Sequence, residues 1–472
     1  MKAEDWLARD SYGGCPAIRF EATGFFRLQK ADRWWLVTPE GSAFLAFGIN
    51  HVALEMLRQP CNRAWWAERF AVKDAEDREA FREGFRLKAA EDMRSLGFNA
   101  LGAHNAFGDL GEGEWPYIHP IRFAEVNHYR PASREDFPDV FAPEYAKHCG
   151  AIAAREAAPR RGDPRLIGYS LAAFPILSDL DAAPRLDVEF AKRRAGAWTW
   201  PRALRNLGSS SPGKQAYARL ARDLYGDTIA AFNAAYNTAF DSFEALARAE
   251  CWRPAVDLDN RLEMRDNRRF LESILDRRYE VETAAIRRHD PNHLILGDKL
   301  NGHSDTPDSI VQLAARRMDL LYYGYYALLD DQTALLNRWA KLTDKPFCQA
   351  DACVSVPDRA MPNPLGPHAC GQEERADLIR QLFEGLYSRA DFVGWNWCGW
   401  MDSWRETSRW KQHSGLQTPF GEIHPAVRQA FSAAADRLYA IAMGLNPPED
   451  ALETAAGPAP DAAPAETEGA SQ

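Results

Sequence analysis

Short apolar runs recur along the chain, separated by stretches in which apolar positions return every three or four residues. Eight of the runs predict buried strands: AFLAFGIN (43–50), GFNALGAH (97–104), YIHPIRFAE (117–125), RLIGYSL (165–171), HLILGDK (293–299), DLLYYGYY (319–326), PFCQADA (346–352) and DFVGWNWCGW (391–400). Between them the period is helical. DREAFREGFRLKAAEDMRSL places Phe81, Phe85, Leu87 and Leu96 on its apolar positions, and NRRFLESILDRRYEVETAAIRRHD and QEERADLIRQLFEGLYSRA read the same way. Nearly continuous apolar strands alternating with helices describe an α/β fold, a closed (β/α)8 TIM barrel.

Two additions decorate that plan. Residues 1–42 form a preface in which IRFEATGFFRLQKADRWWLVTPEGSAFL reads as a β-hairpin, with turns at Ala31-Asp32 and Pro39-Glu40-Gly41. The barrel itself is expected over 43–446, with a helical insertion, 178–253, between its fourth and fifth strands. Insertions of that length on a barrel usually shape the active site. From Pro447 to Gln472 the chain carries six acidic residues, no Lys or Arg and almost no large apolar group, so a disordered acidic Ala/Pro-rich tail is expected over 447–472.

Charge and cysteine content narrow the class. A net charge of −10 argues against a nucleic-acid partner, because phosphate neutralisation needs a basic surface. No apolar run is long enough to cross a membrane, and MKAEDWLARDSYGG lacks the apolar core of a secretion signal. Eight cysteines in 472 residues are too sparse for a disulfide scaffold. Cys348 and Cys353 read as buried thiols in preference to a redox pair. A cytoplasmic protein is the expectation; the oligomeric state stays open.

Chemistry on a parallel barrel sits at the C-terminal ends of the strands. Those ends offer Asn50 and His51, His104 and Asn105, His119, Asp298 with Lys299, Tyr326, Asp351, and then Trp397, Trp400 and Asp402. Indole and phenol rings beside carboxylates and amides suit sugars, whose apolar faces stack while their hydroxyls bond. Bland roles compete with each. His119 reads as a hydrogen-bonded core residue at least as well, Trp34, Trp35, Trp65 and Trp66 as packing, and Asp298 as an ion-pair partner of Lys299. Alternation sets Trp395 and Trp397 on one face and Asn396 and Cys398 on the other, without saying which lines a pocket. Asp351 stands out, since an acid closing an apolar strand needs a reason. No metal-ligand spacing, phosphate loop or GxSxG elbow occurs, so neither a metal nor a cofactor is expected.

GFFRLQKADRWWLVTPEGSAFLAFGINHV resembles the opening of agarase-type glycoside hydrolases, in which a hairpin of this pattern precedes the first barrel strand. LIGYSL resembles that family's fourth strand. LYGDTIAAFNAAYNTAFDSFEAL resembles a helical insertion shared with some β-galactosidases, and KPFCQADA and FVGWNWCGWMD resemble the seventh and eighth strands. The likeness spans roughly residues 20 to 435. It implies a retaining mechanism with one Glu after strand four as acid/base and a second after strand seven as nucleophile, about 5–5.5 Å apart.

Both positions depart from that pattern. Ala172 and Ala173 stand at the fourth strand, and Asp351, one methylene shorter than Glu, at the seventh. Three readings follow: a hydrolase using Asp351 with an acid from Asp298, Asp402 or Asp179; a sugar-binding barrel without hydrolysis; or other carbohydrate chemistry with His51 or His104 carrying the proton. The first, hydrolysis of an oligosaccharide or small glycoside of galactose or another plant or algal sugar, is the leading one. In it Asn50, His51, His104, Asn105 and His119 hold hydroxyls while Tyr326, Trp397 and Trp400 stack.

Overall fold

The computed structural model describes residues 6–111, 113–124, 126, 133–173, 198–303, 306–362, 364–403 and 414–445. The expected tail at 447–472 lies outside them, as do Asp179 and the first part of the insertion.

Four strands open the chain: β1 (Cys15–Arg19), β2 (Arg27–Lys30), β3 (Trp34–Val37) and β4 (Ser42–Phe44). They form an antiparallel sheet in the order β1-β4-β3-β2. The expected hairpin is its β2–β3 pair, with Lys30 opposite Trp34. The β1–β4 pairing joins residues more than twenty positions apart and leaves no local pattern to read. Arg33 fastens this sheet to the barrel by donating to the carbonyls of Tyr387, Arg389, Phe392 and Ala442.

The run 43–50 is therefore two strands, β4 in the preface sheet and β5 (Ala46–Asn50) in the barrel. Helices α1 (Arg63–Arg69) and α2 (Arg82–Leu96) follow, then β6 (Ala100–Leu101), the single turn α3 (Phe107–Leu110), β7 (Tyr117–Pro120), α4 (Pro143–Glu156) and β8 (Leu166–Ala173). α2 buries Phe85, Ala89, Met93 and Leu96 and stops at Gly97, whose φ of 75° favours glycine. Leu87, expected in that stripe, is 68% exposed, because it sits two positions from Phe85 and so on the opposite flank.

Beyond β8 the chain is helical: α5 (Trp200–Arg205), α6 (Pro212–Tyr225), α7 (Ile229–Tyr236), α8 (Phe243–Arg248) and the long α9 (Arg261–His289). Asn260 starts α9 by accepting from the amides of Leu262 and Glu263. The barrel resumes with β9 (Leu294–Asn301), α10 (Asp308–Arg317), β10 (Leu321–Gly324), α11 (Leu329–Trp339), β11 (Phe347–Ala352), α12 (Gln372–Tyr387), β12 (Phe392–Cys398) and α13 (Pro425–Ala442). β5 to β12 are parallel, and β12 pairs with β5 to close the barrel of eight strands.

Inside the barrel, two glycines make room for amides. A Cβ on Gly102 would lie 2.2 Å from Asn50 Oδ1, and one on Gly48 would lie 2.3 Å from Asn396 Oδ1. Asn50 and Asn396 thus occupy interior space that side chains on those strands would otherwise fill.

Candidate functional site

Strand alternation decides which of the expected residues reach the mouth of the barrel. On β11 it turns Asp351 inward, on β9 Lys299, and on β12 Asn396 and Cys398. Asn50, at the end of β5, ties three strands together. Its Nδ2 donates to Ala350 O (2.8 Å) and Asp351 Oδ1 (3.1 Å), and its Oδ1 accepts from the His104 amide (3.0 Å).

His51 follows with φ near 60°, an uncommon left-handed conformation for a residue with a side chain. Its ring stacks on His104, with centroids 5.5 Å apart and planes at 9°. His51 Nε2 is 4.0 Å from Asp351 Oδ1, and His104 Nε2 is 3.9 Å from Oδ2.

Lys299 sits at the centre of the cluster. Its Nζ donates to Asp351 Oδ2 at 3.0 Å and to His104 Nε2 at 2.7 Å. That contact makes His104 Nε2 the acceptor, so its proton belongs on Nδ1. Burial would raise the Asp351 carboxyl, but Lys299, His104 and His51 outweigh it and hold the group well below the usual carboxylate range. Burial lowers both imidazoles, His104 strongly and with Lys299 adding to it, so both rings are neutral near pH 7. The cluster thus holds one ammonium, one carboxylate and two neutral imidazoles. Of its members His51, with 31% of its side chain exposed, opens most toward solvent.

The other expected residues lie elsewhere. Asp298 points outward from β9 into a buried network, not to its neighbour Lys299. Arg278 of α9 grips both its oxygens (2.7 and 2.8 Å), Tyr279 donates at 2.8 Å, and the Ala172 amide at 3.0 Å. His119 also faces outward, because alternation gives the interior to Ile118; its Nε2 lies 3.2 Å from Glu156 of α4. Trp397 packs outward on Phe431, and Trp400 donates to Asp92 of α2 at 2.8 Å. Both indoles are fully buried, so their faces serve packing.

Asn105 spends its amide on the backbone, donating to Ile49 and Gly102 and accepting from Val52. Asp402 accepts from the Gly415 amide at 2.7 Å. Tyr326 is buried beside His303, whose Nε2 accepts from its amide at 2.8 Å. The fourth strand ends in Ala172 and Ala173, both buried. Lys299 is the functional side chain that sequence reasoning assigned a different partner. Its signal was a cation ending an apolar strand.

The cluster also contains a donor set. His51 nitrogen, an Asp351 oxygen and Cys398 Sγ all lie within 4.8 Å of one another, and imidazole, carboxylate and thiolate together suit zinc. Positions 51, 351 and 398 are too far apart in sequence to show metal-ligand spacing. Lys299 already supplies positive charge against Asp351, and burial pushes the Cys398 thiol well up, which opposes the thiolate a metal needs.

No protein-family model matches the chain. Two curated relatives do: β-agarase A of Vibrio sp. (strain JT0107), 23% identical over 89% of this chain, and β-agarase B of the same strain, 20% identical over 84%. The chain spans about half the length of each, 47% and 46%. Among solved structures, an exo-β-agarase superposes with a TM-score of 0.73 at 20% identity, covering 92% of this chain and 68% of that one.

The chain carries an agarase-like barrel. A β-galactosidase from the psychrophilic Marinomonas ef1 shares the architecture more distantly, with a TM-score of 0.53 at 12% identity over 85% of this chain and 61% of that one. Within the agarase-like barrel, Asp351 closes the seventh strand and the two alanines close the fourth. Among the described residues, no helix is long and apolar enough to cross a membrane.

Proposed function

We propose that the chain is a glycoside hydrolase acting on oligosaccharides of the galactan type, with Asp351 as its central carboxylate. One observation carries the reading. A buried, ionised carboxylate closes the seventh strand of an agarase-like barrel, oriented by Asn50 and Lys299 and flanked by His51. An anion held there stabilises the positive charge that develops on the sugar ring as the glycosidic bond breaks. Its depressed basicity suits a nucleophile or an electrostatic stabiliser better than a general base. His51 and His104 offer polar contacts to hydroxyls at the mouth. The relatives' names, β-agarase, support the substrate class.

A second reading, a sugar-binding barrel without hydrolysis, draws on Ala172 and Ala173, which leave the fourth strand without an acid, and on the neutralisation of Asp351 by Lys299. Eight cysteines in 472 residues are too sparse for a disulfide scaffold, which fits a reducing compartment and a cytoplasmic setting.

The test is product analysis with agarose-derived oligosaccharides and aryl galactosides, using the parent chain and Asp351→Asn. Cleavage by the parent and none by the variant supports the proposal. Calorimetric binding with no product from any substrate replaces it with the binding reading. Undiminished turnover by Asp351→Asn removes that residue from the chemistry. The anomer first formed, read by NMR, separates retention from inversion.

A further inference from the structure

The ring of helices around the barrel has a gap. Seven strand-to-strand or closing segments carry helices of 10 to 29 residues, but between β6 and β7 the described chain forms only the four-residue turn α3. The outer face of these two strands is therefore not covered as barrel strands normally are. A cleft of about 1070 Å³ fills the gap, floored by Leu101, Tyr117 and His119 and lying on the flank of the barrel, apart from Asp351.

The floor is built with polar tips where a helix would demand an apolar surface. Tyr117 donates to Asp163 at 2.8 Å, and His119 is buried with Nδ1 lacking a hydrogen-bond partner. Four guanidinium groups line the walls: Arg86 and Arg94 on α2, Arg160 and Arg165 opposite. Arg86 and Arg94 are two turns apart, about 12 Å along one side of the cleft. Among the described residues, the carboxylates in the lining are Glu114 and Asp163. Glu114 pairs with Arg94 at 2.6 Å, whereas Arg86 directs its Nε to the Asp109 carbonyl at 2.8 Å. This basic cleft stands against a chain of net charge −10. The overall negative field disfavours a polyanion as dense in charge as nucleic acid.

We propose that this flank cleft is a second saccharide site, one that takes anionic oligosaccharides bearing sulfate or carboxylate groups. Arginine forks bind planar or tetrahedral oxyanions through paired hydrogen bonds, and the half-exposed ring of Trp115 offers an apolar surface for a sugar face. The choice of a saccharide over another anion rests on the hydrolase reading; the anion preference rests on the arginines alone.

Calorimetry with a sulfated galactan tetrasaccharide, a galacturonate tetrasaccharide, a neutral agarose tetrasaccharide and inorganic sulfate tests this. Arg86 and Arg94 are exposed, so Arg86→Ala/Arg94→Ala should melt like the parent, and Arg165→Gln probes the opposite wall. The anionic tetrasaccharides should bind the parent, weaken with salt, and lose about tenfold or more in affinity in each variant. The neutral tetrasaccharide should be indifferent to both substitutions. Anionic affinity unchanged in both variants overturns the site, and inorganic sulfate binding as tightly as the anionic tetrasaccharides overturns the saccharide assignment. Cleavage of the neutral tetrasaccharide is scored separately. Its absence with arginine-dependent anionic binding sinks the hydrolase reading and leaves the cleft an anion site.

Discussion

Lys299 Nζ lies 3.0 Å from Asp351 Oδ2, and the two side chains are 2% and 3% exposed. A pair this buried costs desolvation on both partners, and removing either leaves the other charged in a medium that solvates it poorly. The pair therefore ties the chemistry of Asp351 to the stability of the fold.

Asp351→Asn should abolish hydrolysis and also destabilise the fold, by up to about 3–5 kcal/mol, the usual range for breaking a buried pair. The cost should fall at the lower end, because burial already lowers the Lys299 pKa and so reduces the penalty of leaving the amine without its counter-charge. Asp351→Asn/Lys299→Met should recover part of the loss. Urea unfolding of the two single variants and the double variant measures the coupling, and strict additivity would show that the pair contributes nothing.

Lys299→Met should raise the Asp351 pKa, since burial would then act against a weaker opposition. A carboxylate that must be ionised loses activity as pH falls through its pKa. The acid limb of the pH–rate profile should therefore move to higher pH in the variant. An unmoved limb would mean that Lys299 does not control the ionisation that turnover requires.

Asp298→Asn should behave as a structural lesion. Arg278 would keep its charge beside Glu282 but lose a bidentate partner. Destabilisation of about 3–5 kcal/mol is expected, with turnover per folded molecule within a few-fold of the parent. Loss of turnover in fully folded protein would return Asp298 to the list of acids.

His119 should make stability depend on pH. Burial first, then Arg160, lower its pKa to about 4. The unfolded chain takes up that proton near pH 6.5, before the native state does, so stability is complete above about 6.5 and declines as pH falls toward 4. Denaturant midpoints measured across that range should fall less steeply in His119→Gln than in the parent. Equal slopes would assign the acid sensitivity to other groups.

The periodicity of the chain determined the barrel. Apolar strand runs and helical spacing are local properties, so the order of strands and helices is legible without a structure. Residue type also singled out Asp351, because an acid at the end of an apolar strand conflicts with burial unless something holds it.

Tertiary structure decided the rest. Whether Asp298 or Lys299 faces inward is a matter of one residue in strand phase, and the two lead to opposite roles. Trp397 and Trp400 looked like stacking rings until the outer helices α2 and α13 proved to hold them. Lys299 and Asp351 on β9 and β11, and His104 in the turn after β6, are separated by up to about 250 residues. Only closure of the barrel brings these side chains within hydrogen-bond range, and the contact between Lys299 and Asp351 sets the ionisation of the site.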